Sequence, residues 1–262
     1  MKNVVITGGT RGLGFALAER FLEMGYSVTV SGLHNNSVQR AADNLAHAGQ
    51  RVQCLQCDVT QHDNVSDLWK RAHEHWGLVD IWINNAGIVQ PETEVWKVSD
   101  VDAKAVIATN LLGMIYGSQV ASAGMIQQGH GTIFNMEGFG SGDEMRSGLT
   151  IYGTSKRALT YFSRALAKEL RHTPIKVGLL SPGMVVTDLV KHPAGQGAEA
   201  PPRPEVMRIF NILGDTPETV SLFLAKRIAA DPRTGTRISW LTPQKIVWRF
   251  LKSNFVRRDL FH

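Results

Sequence analysis

Short apolar, β-branched runs alternate along this chain with longer segments in which apolar residues return every three or four positions. The runs at 4–7, 27–31, 51–54, 80–83, 132–135, 175–180 and 237–241 predict strands, bounded by turn-forming residues. The periodic segments at 12–24, 37–48, 62–76, 101–128, 152–170 and 217–230 predict helices. Strand and helix repeated at this spacing predict a doubly wound α/β domain over 1–262. It is a mainly parallel sheet with right-handed crossovers and helices on both faces. The stretch 191–204 departs from the pattern. It carries Pro193, Pro201, Pro202, Pro204, Gly195 and Gly197, cannot form a long helix, and predicts a substrate loop or lid.

Composition narrows the class. A chain of 262 residues with 43% hydrophobic content can bury a large core, and two cysteines exclude a disulfide-built secreted scaffold. The opening Met1-Lys2-Asn3 runs straight into Val4, with too short an apolar region for an export signal, so a reduced, cytoplasmic protein is expected. The uncharged stretch 105–136 is interrupted by Asn110, Gln119, Gln127 and Gln128, which predicts a buried helix and strand rather than a membrane span.

Charge is local. The net charge is +5, and the segment 241–262 sets Lys245, Arg249, Lys252, Arg257 and Arg258 against Asp259. Little basicity remains elsewhere, so no nucleic-acid partner is expected. The same segment interleaves Ile246, Val247, Trp248, Phe250, Leu251 and Phe255. Such a basic amphipathic segment suits peripheral contact with an anionic membrane, or packing over the domain or a second subunit.

Two sequence features carry chemistry. Thr7-Gly8-Gly9-Thr10-Arg11-Gly12-Leu13-Gly14 follows a predicted strand and opens a predicted helix. There Gly8 permits a tight turn, Gly12 lets backbone N–H groups approach a pyrophosphate, and Gly14 allows close helix packing. Tyr152 and Lys156 stand four residues apart, so both project from one helix face. An ammonium beside a phenol favours the phenolate and predicts a Tyr152 pKa below its ordinary value of about 10.

These motifs, together with Asn84-Asn85-Ala86-Gly87, Asn110 and Ser181-Pro182-Gly183, resemble the short-chain dehydrogenase/reductase family from residue 3 to about 190. The resemblance implies a Rossmann fold and a nicotinamide cofactor. It implies that Tyr152 protonates the substrate oxygen, that Lys156 holds the nicotinamide ribose, and that Asn110 anchors a water relay. It also implies adenine contacts from Asp58 and Val59, a cofactor cleft lined by Asn85, Ala86, Gly87, Pro182 and Gly183, and a carboxamide contact from Thr187. A homodimer or homotetramer is expected on the same ground.

The family's catalytic serine is missing. Where a Ser-Ser pair would follow the fifth strand, this chain reads Met136-Glu137-Gly138. Ser141 could substitute if the loop folds back, and Glu137 could do so only when protonated, because an ionised carboxylate cannot donate. This run, with Ser181-Pro182-Gly183-Met184-Val185-Val186-Thr187-Asp188-Leu189 and Trp240-Leu241-Thr242-Pro243, is similar to the chlorophyll b reductase group. That similarity implies reduction of a pigment formyl group to hydroxymethyl by NADPH. Two other readings stay open: a reductase of another bulky hydrophobic aldehyde or ketone, and a nucleotide-binding regulator or scaffold without turnover.

Cofactor choice can also be read from the residues. NAD-specific turns place an acid after the second strand, whereas Ser31-Gly32-Leu33-His34-Asn35-Asn36 offers none to repel a 2′-phosphate. Arg11 and Ser31, with His34 or Asn35, are the candidates to meet that phosphate, and NADPH is expected. Cys54 and Cys57 have metal-ligand spacing but no second pair, so they predict buried thiols and no metal site.

Overall fold

The computed structural model describes residues 1–187, 204–253 and 255–261. The sheet comprises β1 (Asn3–Ile6), β2 (Ser27–Gly32), β3 (Val52–Gln56), β4 (Ile81–Asn84), β5 (Gly131–Met136), β6 (Ile175–Ser181) and β7 (Arg237–Ser239). The strand order is β3-β2-β1-β4-β5-β6-β7, and every pair is parallel. The helices are α1 (Gly12–Glu23), α2 (Asn35–Leu45), α3 (His62–Trp76), α4 (Asp100–Ile107), α5 (Gly113–Gln128), α6 (Thr150–Glu169), α7 (Pro204–Leu213), α8 (Pro217–Ala229) and α9 (Pro243–Ser253). This is the doubly wound Rossmann arrangement that the alternation predicts.

The central strands are apolar on both faces because both faces are covered. Val4, Ile6, Ile81 and Ile83 pack with Leu17 and Phe21 of α1 and Leu224 of α8. Val5, Trp82 and Ile133 pack the opposite way, with Leu68 of α3, Met125 of α5 and Ala167 of α6. Phe21, Trp82 and Phe134 are among the largest fully buried side chains, each worth about 2–3 kcal/mol relative to exposure. The order in which strands are added reverses between β1 and β4, which opens a crevice at their carboxyl ends.

One departure from the sequence expectation shapes the site. The single helix expected at 101–128 is broken by a five-residue π-helical segment, Ala108–Leu112, between α4 and α5. The stretch 191–204 lies outside the described residues except for Pro204, which opens α7.

The tail takes one of its expected readings, packing over the domain, and docks through one buried acid. Asp215, 5% exposed, accepts from Trp240 Nε1 (2.6 Å), Arg249 Nη2 (2.7 Å) and Arg258 Nη2 (3.0 Å). Asp215 also joins the segment after β6 through its backbone, its N–H reaching the Met184 carbonyl and its carbonyl accepting from Val186. Two of the five tail cations are therefore structural. Between α7 and α9 runs a groove of about 720 Å³, lined by Ile209, Ile212, Ile246, Val247, Phe250 and Arg208 among others.

Candidate active site

The loops after β1 and β4 are joined before any ligand is considered. Thr7 Oγ1 accepts from the Asn85 and Ala86 N–H groups (3.1 and 3.2 Å), and Asn85 Nδ2 donates to the Thr7 and Gly8 carbonyls (3.0 and 2.9 Å). Gly8 has φ +61°, and a Cβ there would lie 2.7 Å from Ala86 Cα, so glycine is required on both counts. A Cβ on Gly14 would collide with the Asn85 amide. The first turn of α1 has no side-chain cap and no acidic residue, which leaves its N–H groups for an anion.

The other cofactor candidates surround this turn with different degrees of access. Arg11 is exposed at the start of α1, whereas Leu13 packs into the core and offers only its backbone. Thr10 lies against Gly32, and the Thr187 methyl lies 3.4 Å from where a Gly12 Cβ would stand. Asp58, just beyond β3, accepts from the Thr60 N–H and hydroxyl (2.9 and 2.7 Å), and Val59 is buried against Gly113. Pro182 follows β6, and Gly183, with φ +69°, lies against Leu241. Ser31 does not fit its expected role. It is wholly buried within β2 and its Oγ has no hydrogen-bond partner among the described residues. Leu33 and His34 hold the surface beyond that strand instead.

The candidate catalytic residues gather at the ends of β4 and β5. Asn110 sits in the π-helical segment and is 1% exposed; its Oδ1 accepts from the Ile88 N–H (2.8 Å), and its Nδ2 donates to the Ile88 carbonyl (2.9 Å) and Ser155 Oγ (3.1 Å). A π segment commonly marks a functional site because it turns a side chain out of helical register. Lys156 is buried and Nζ donates to the Met136 carbonyl (3.2 Å). A Cβ on Gly87 would lie 3.4 Å from Asn110 Oδ1 and 3.6 Å from Lys156 Nζ, so the three residues converge.

Tyr152 lies over Gly138, and a Cβ at 138 would run into its phenol oxygen. Lys156 Nζ is 5.8 Å from the Tyr152 ring centroid. Burial pushes the phenol up to about 12 and the Lys156 ammonium down to about 8, while the negative charge of Glu137 opposes the lysine's fall. The lowered tyrosine pKa expected from YxxxK spacing is therefore reversed, because burial outweighs the nearby cation.

Both candidate replacements for the absent serine are already engaged. The loop does fold back at Ser141: its Oγ accepts from the Gly138 N–H (3.1 Å) and donates to the Lys156 carbonyl (3.4 Å). Glu137 accepts from Thr160 Oγ1 (3.1 Å) and Arg237 Nε (2.6 Å), an acceptor's arrangement that leaves it no donor for a carbonyl.

Sequence reasoning missed Thr160 and Arg237, and it missed a buried ladder that fixes the strand ends. Trp82 Nε1 donates to Asn84 Oδ1 (2.8 Å), Asn84 Nδ2 to Asn135 Oδ1 (2.8 Å), and Asn135 Nδ2 to Ser163 Oγ (2.8 Å). A signal was present, since two asparagines end neighbouring apolar strands and pair in register. The loops after β4 and β5 are likewise tied, by Arg146 to Glu92 (2.9 and 3.0 Å) and by Gln90 Nε2 to the Gly148 carbonyl (3.1 Å). Cys54 and Cys57 take no part: burial pushes their thiols up to about 11 and about 12, which keeps them protonated and unreactive.

Known proteins resemble this chain in sequence and in fold. A probable chloroplastic chlorophyll(ide) b reductase of Oryza sativa subsp. japonica is 34% identical over 275 residues, covering 98% of this chain and 53% of the relative. The chain thus spans about half the length of that relative. A chloroplastic chlorophyll(ide) b reductase of Arabidopsis thaliana is 34% identical, covering 89% of this chain and 67% of the relative. Among solved structures, a point variant of actinorhodin polyketide ketoreductase with NADPH superposes with a TM-score of 0.80 at 26% identity, covering 91% of this chain and 95% of that one. No helix among the described residues is long and apolar enough to cross a membrane. The family model described as short chain dehydrogenase matches residues 2–196, the segment that supplies the glycine turn, Asn110, Tyr152 and Lys156. On a match of that extent, the chain belongs to the short-chain dehydrogenase/reductase family of oxidoreductases.

Proposed function

We propose that this protein is an NADPH-dependent carbonyl reductase whose substrate is a chlorophyll-type pigment, the formyl group being reduced to hydroxymethyl. The observation that carries the reading is the buried Tyr152, Lys156 and Asn110 cluster beside the glycine turn. The site fits a dinucleotide: positive-φ glycines at 8 and 12, an uncapped helix start, an exposed Arg11, and no carboxylate from 31 to 36. A nicotinamide bound here would supply the hydride. Tyr152 supplies the proton, and a phenol held up to about 12 is stored in its acid form at neutral pH, which suits reduction. Lys156 holds the cofactor ribose and Asn110 connects the centre to solvent. Asp58, Val59, Asn85, Ala86, Gly87, Pro182, Gly183 and Thr187, along the sheet's carboxyl edge, would border the cofactor. Ser141 steadies the Gly138 loop on α6. The pigment is favoured because the similarity to chlorophyll(ide) b reductases runs over nearly the whole chain.

The exposed side chains of α9 support a peripheral membrane contact in the same reading. Val247, Trp248 and Leu251 are more than half exposed there, and Lys252 lies 4.7 Å over the Trp248 ring. Aromatic and aliphatic side chains among cations suit an anionic lipid surface. The test is NADPH with chlorophyll b in anionic vesicles, or with the phytol-free pigment in solution, followed by product chromatography. The expected result is the hydroxymethyl pigment in both, with only the vesicle rate falling as salt rises. Tyr152→Phe should bind NADPH and lose about 10²–10⁴-fold in turnover. Cofactor binding with no hydroxymethyl product would overturn the pigment assignment, and unchanged turnover in Tyr152→Phe would overturn its role as the acid.

A further inference from the structure

Glu137 stands where the family pattern has a serine, and the structure gives it a position no surface acid has. It is 3% exposed at the end of β5, immediately after Met136, whose carbonyl accepts from Lys156 Nζ. Thr160 Oγ1 ties the carboxylate to the backbone of α6, 3.1 Å from Glu137 Oε1 and 3.2 Å from the Lys156 backbone carbonyl. Arg237 reaches in from β7 to the other carboxylate oxygen. Among the described residues, the titratable or charged groups set around Lys156 are therefore Tyr152 on α6, Glu137 on β5 and, behind Glu137, Arg237 on β7.

We propose that Glu137 is a positioning residue whose buried negative charge holds Lys156 as the ammonium, with Arg237 setting how strongly that charge is felt. A buried carboxylate is costly unless paired, and mere stitching of β5 to β7 would be served by a neutral hydrogen-bonded side chain. Its place one residue beyond the carbonyl that accepts from the Lys156 ammonium, with the Arg237 guanidinium on one carboxylate oxygen, gives the charge a use. Burial disfavours the lysine's charged form, and Glu137 is the group that opposes this. With an acid here, position 137 is specified by electrostatics while position 138 is specified by space for the Tyr152 phenol.

The proposal deepens the reading of Lys156 as the residue that holds the cofactor ribose, but its test observes the lysine itself and needs no carbonyl substrate. Lysine ε-carbons labelled with ¹³C report each ammonium's titration by NMR. Two lysines lie near 8, Lys156 and Lys245, and Lys156→Arg identifies which signal belongs to the site. Glu137→Gln keeps the shape and removes the charge, and should lower the Lys156 midpoint by about one unit, so that at pH 8 the ammonium-to-amine ratio falls roughly tenfold. Glu137→Asp should restore most of it. Arg237→Gln leaves the carboxylate in place and should raise the midpoint, so it carries the test should Glu137→Gln fail to fold. NADPH titrations should show Glu137→Gln binding like wild type at pH 6 and more weakly by pH 8. A Lys156 midpoint unmoved in a folded variant, or a binding loss equal at every pH, would overturn the proposal. Wild-type protein that binds no NADPH while the midpoints shift as stated would remove the cofactor assignment and leave this one standing.

Discussion

With hydrogen in place of a side chain at 138, the Tyr152 hydroxyl occupies space that a Cβ would need. Restoring the family serine here is therefore no gain, because the added atom meets the hydroxyl of the proposed acid, Tyr152. The cofactor side permits a cleaner substitution. A carboxylate at Gly32 would first meet Thr10, whose methyl would lie 2.6 Å from the new Cβ, whereas Leu33 is half exposed and free to change. Leu33→Asp should weaken NADPH roughly tenfold relative to NADH, from like-charge repulsion with the 2′-phosphate at a partly solvated site. Fluorescence titration with both cofactors checks this, and an equal loss for each would contradict a 2′-phosphate at that edge. The residues proposed for the chemistry stood out in the sequence because their types and spacing are specific. Their electrostatics were not: the four-residue spacing of Tyr152 and Lys156 says nothing about burial, and burial reverses the tyrosine shift. Ser31 misled for the same reason, being polar in type but sealed within a central strand.

Among elements, the α3 boundaries were legible to the residue because its apolar period is regular and Gly77 ends it with φ +80°. The break between α4 and α5 was not, since one π turn leaves the hydrophobic pattern on both sides almost unchanged. The helices α7 and α9 were obscured by prolines and by charges whose partners lie far along the chain. Arg249 illustrates this: its sequence neighbours suggest an exposed basic face, yet its guanidinium is about 10% exposed on Asp215, which is buried too. Removing one partner leaves that acid undercompensated, so Arg249→Ala should cost about 3 kcal/mol of stability. Lys252→Ala, on the solvent side of the same helix, should change the melting temperature little. Equal melting curves for wild type and Arg249→Ala would show that Arg258 and Trp240 suffice to hold the clamp.

For the whole molecule, the outer surfaces of α4 and α6 remain unsatisfied in an isolated chain. Val101 is 76% exposed and Tyr161 78% exposed, large side chains on helices that pack together. We propose a symmetric dimer or tetramer through this face. Light scattering should give a multiple of 28.8 kDa for wild type and a lower mass for Tyr161→Glu; a wild-type mass of 28.8 kDa at micromolar concentration would count against it. The strand order also dictates when the site becomes whole. Arg237 and Glu137 are 100 residues apart, and β7 is an edge strand that, among the described residues, pairs only with β6. Contacts of such long sequence separation close late on the folding pathway. A refolding chain should regain most of its helical ellipticity before β7 docks, with Lys156 still outside its final field. Full-strength NADPH binding should therefore lag the ellipticity signal in stopped-flow refolding, and a lag that disappears in Arg237→Gln would date the maturation of the site to the arrival of its last strand.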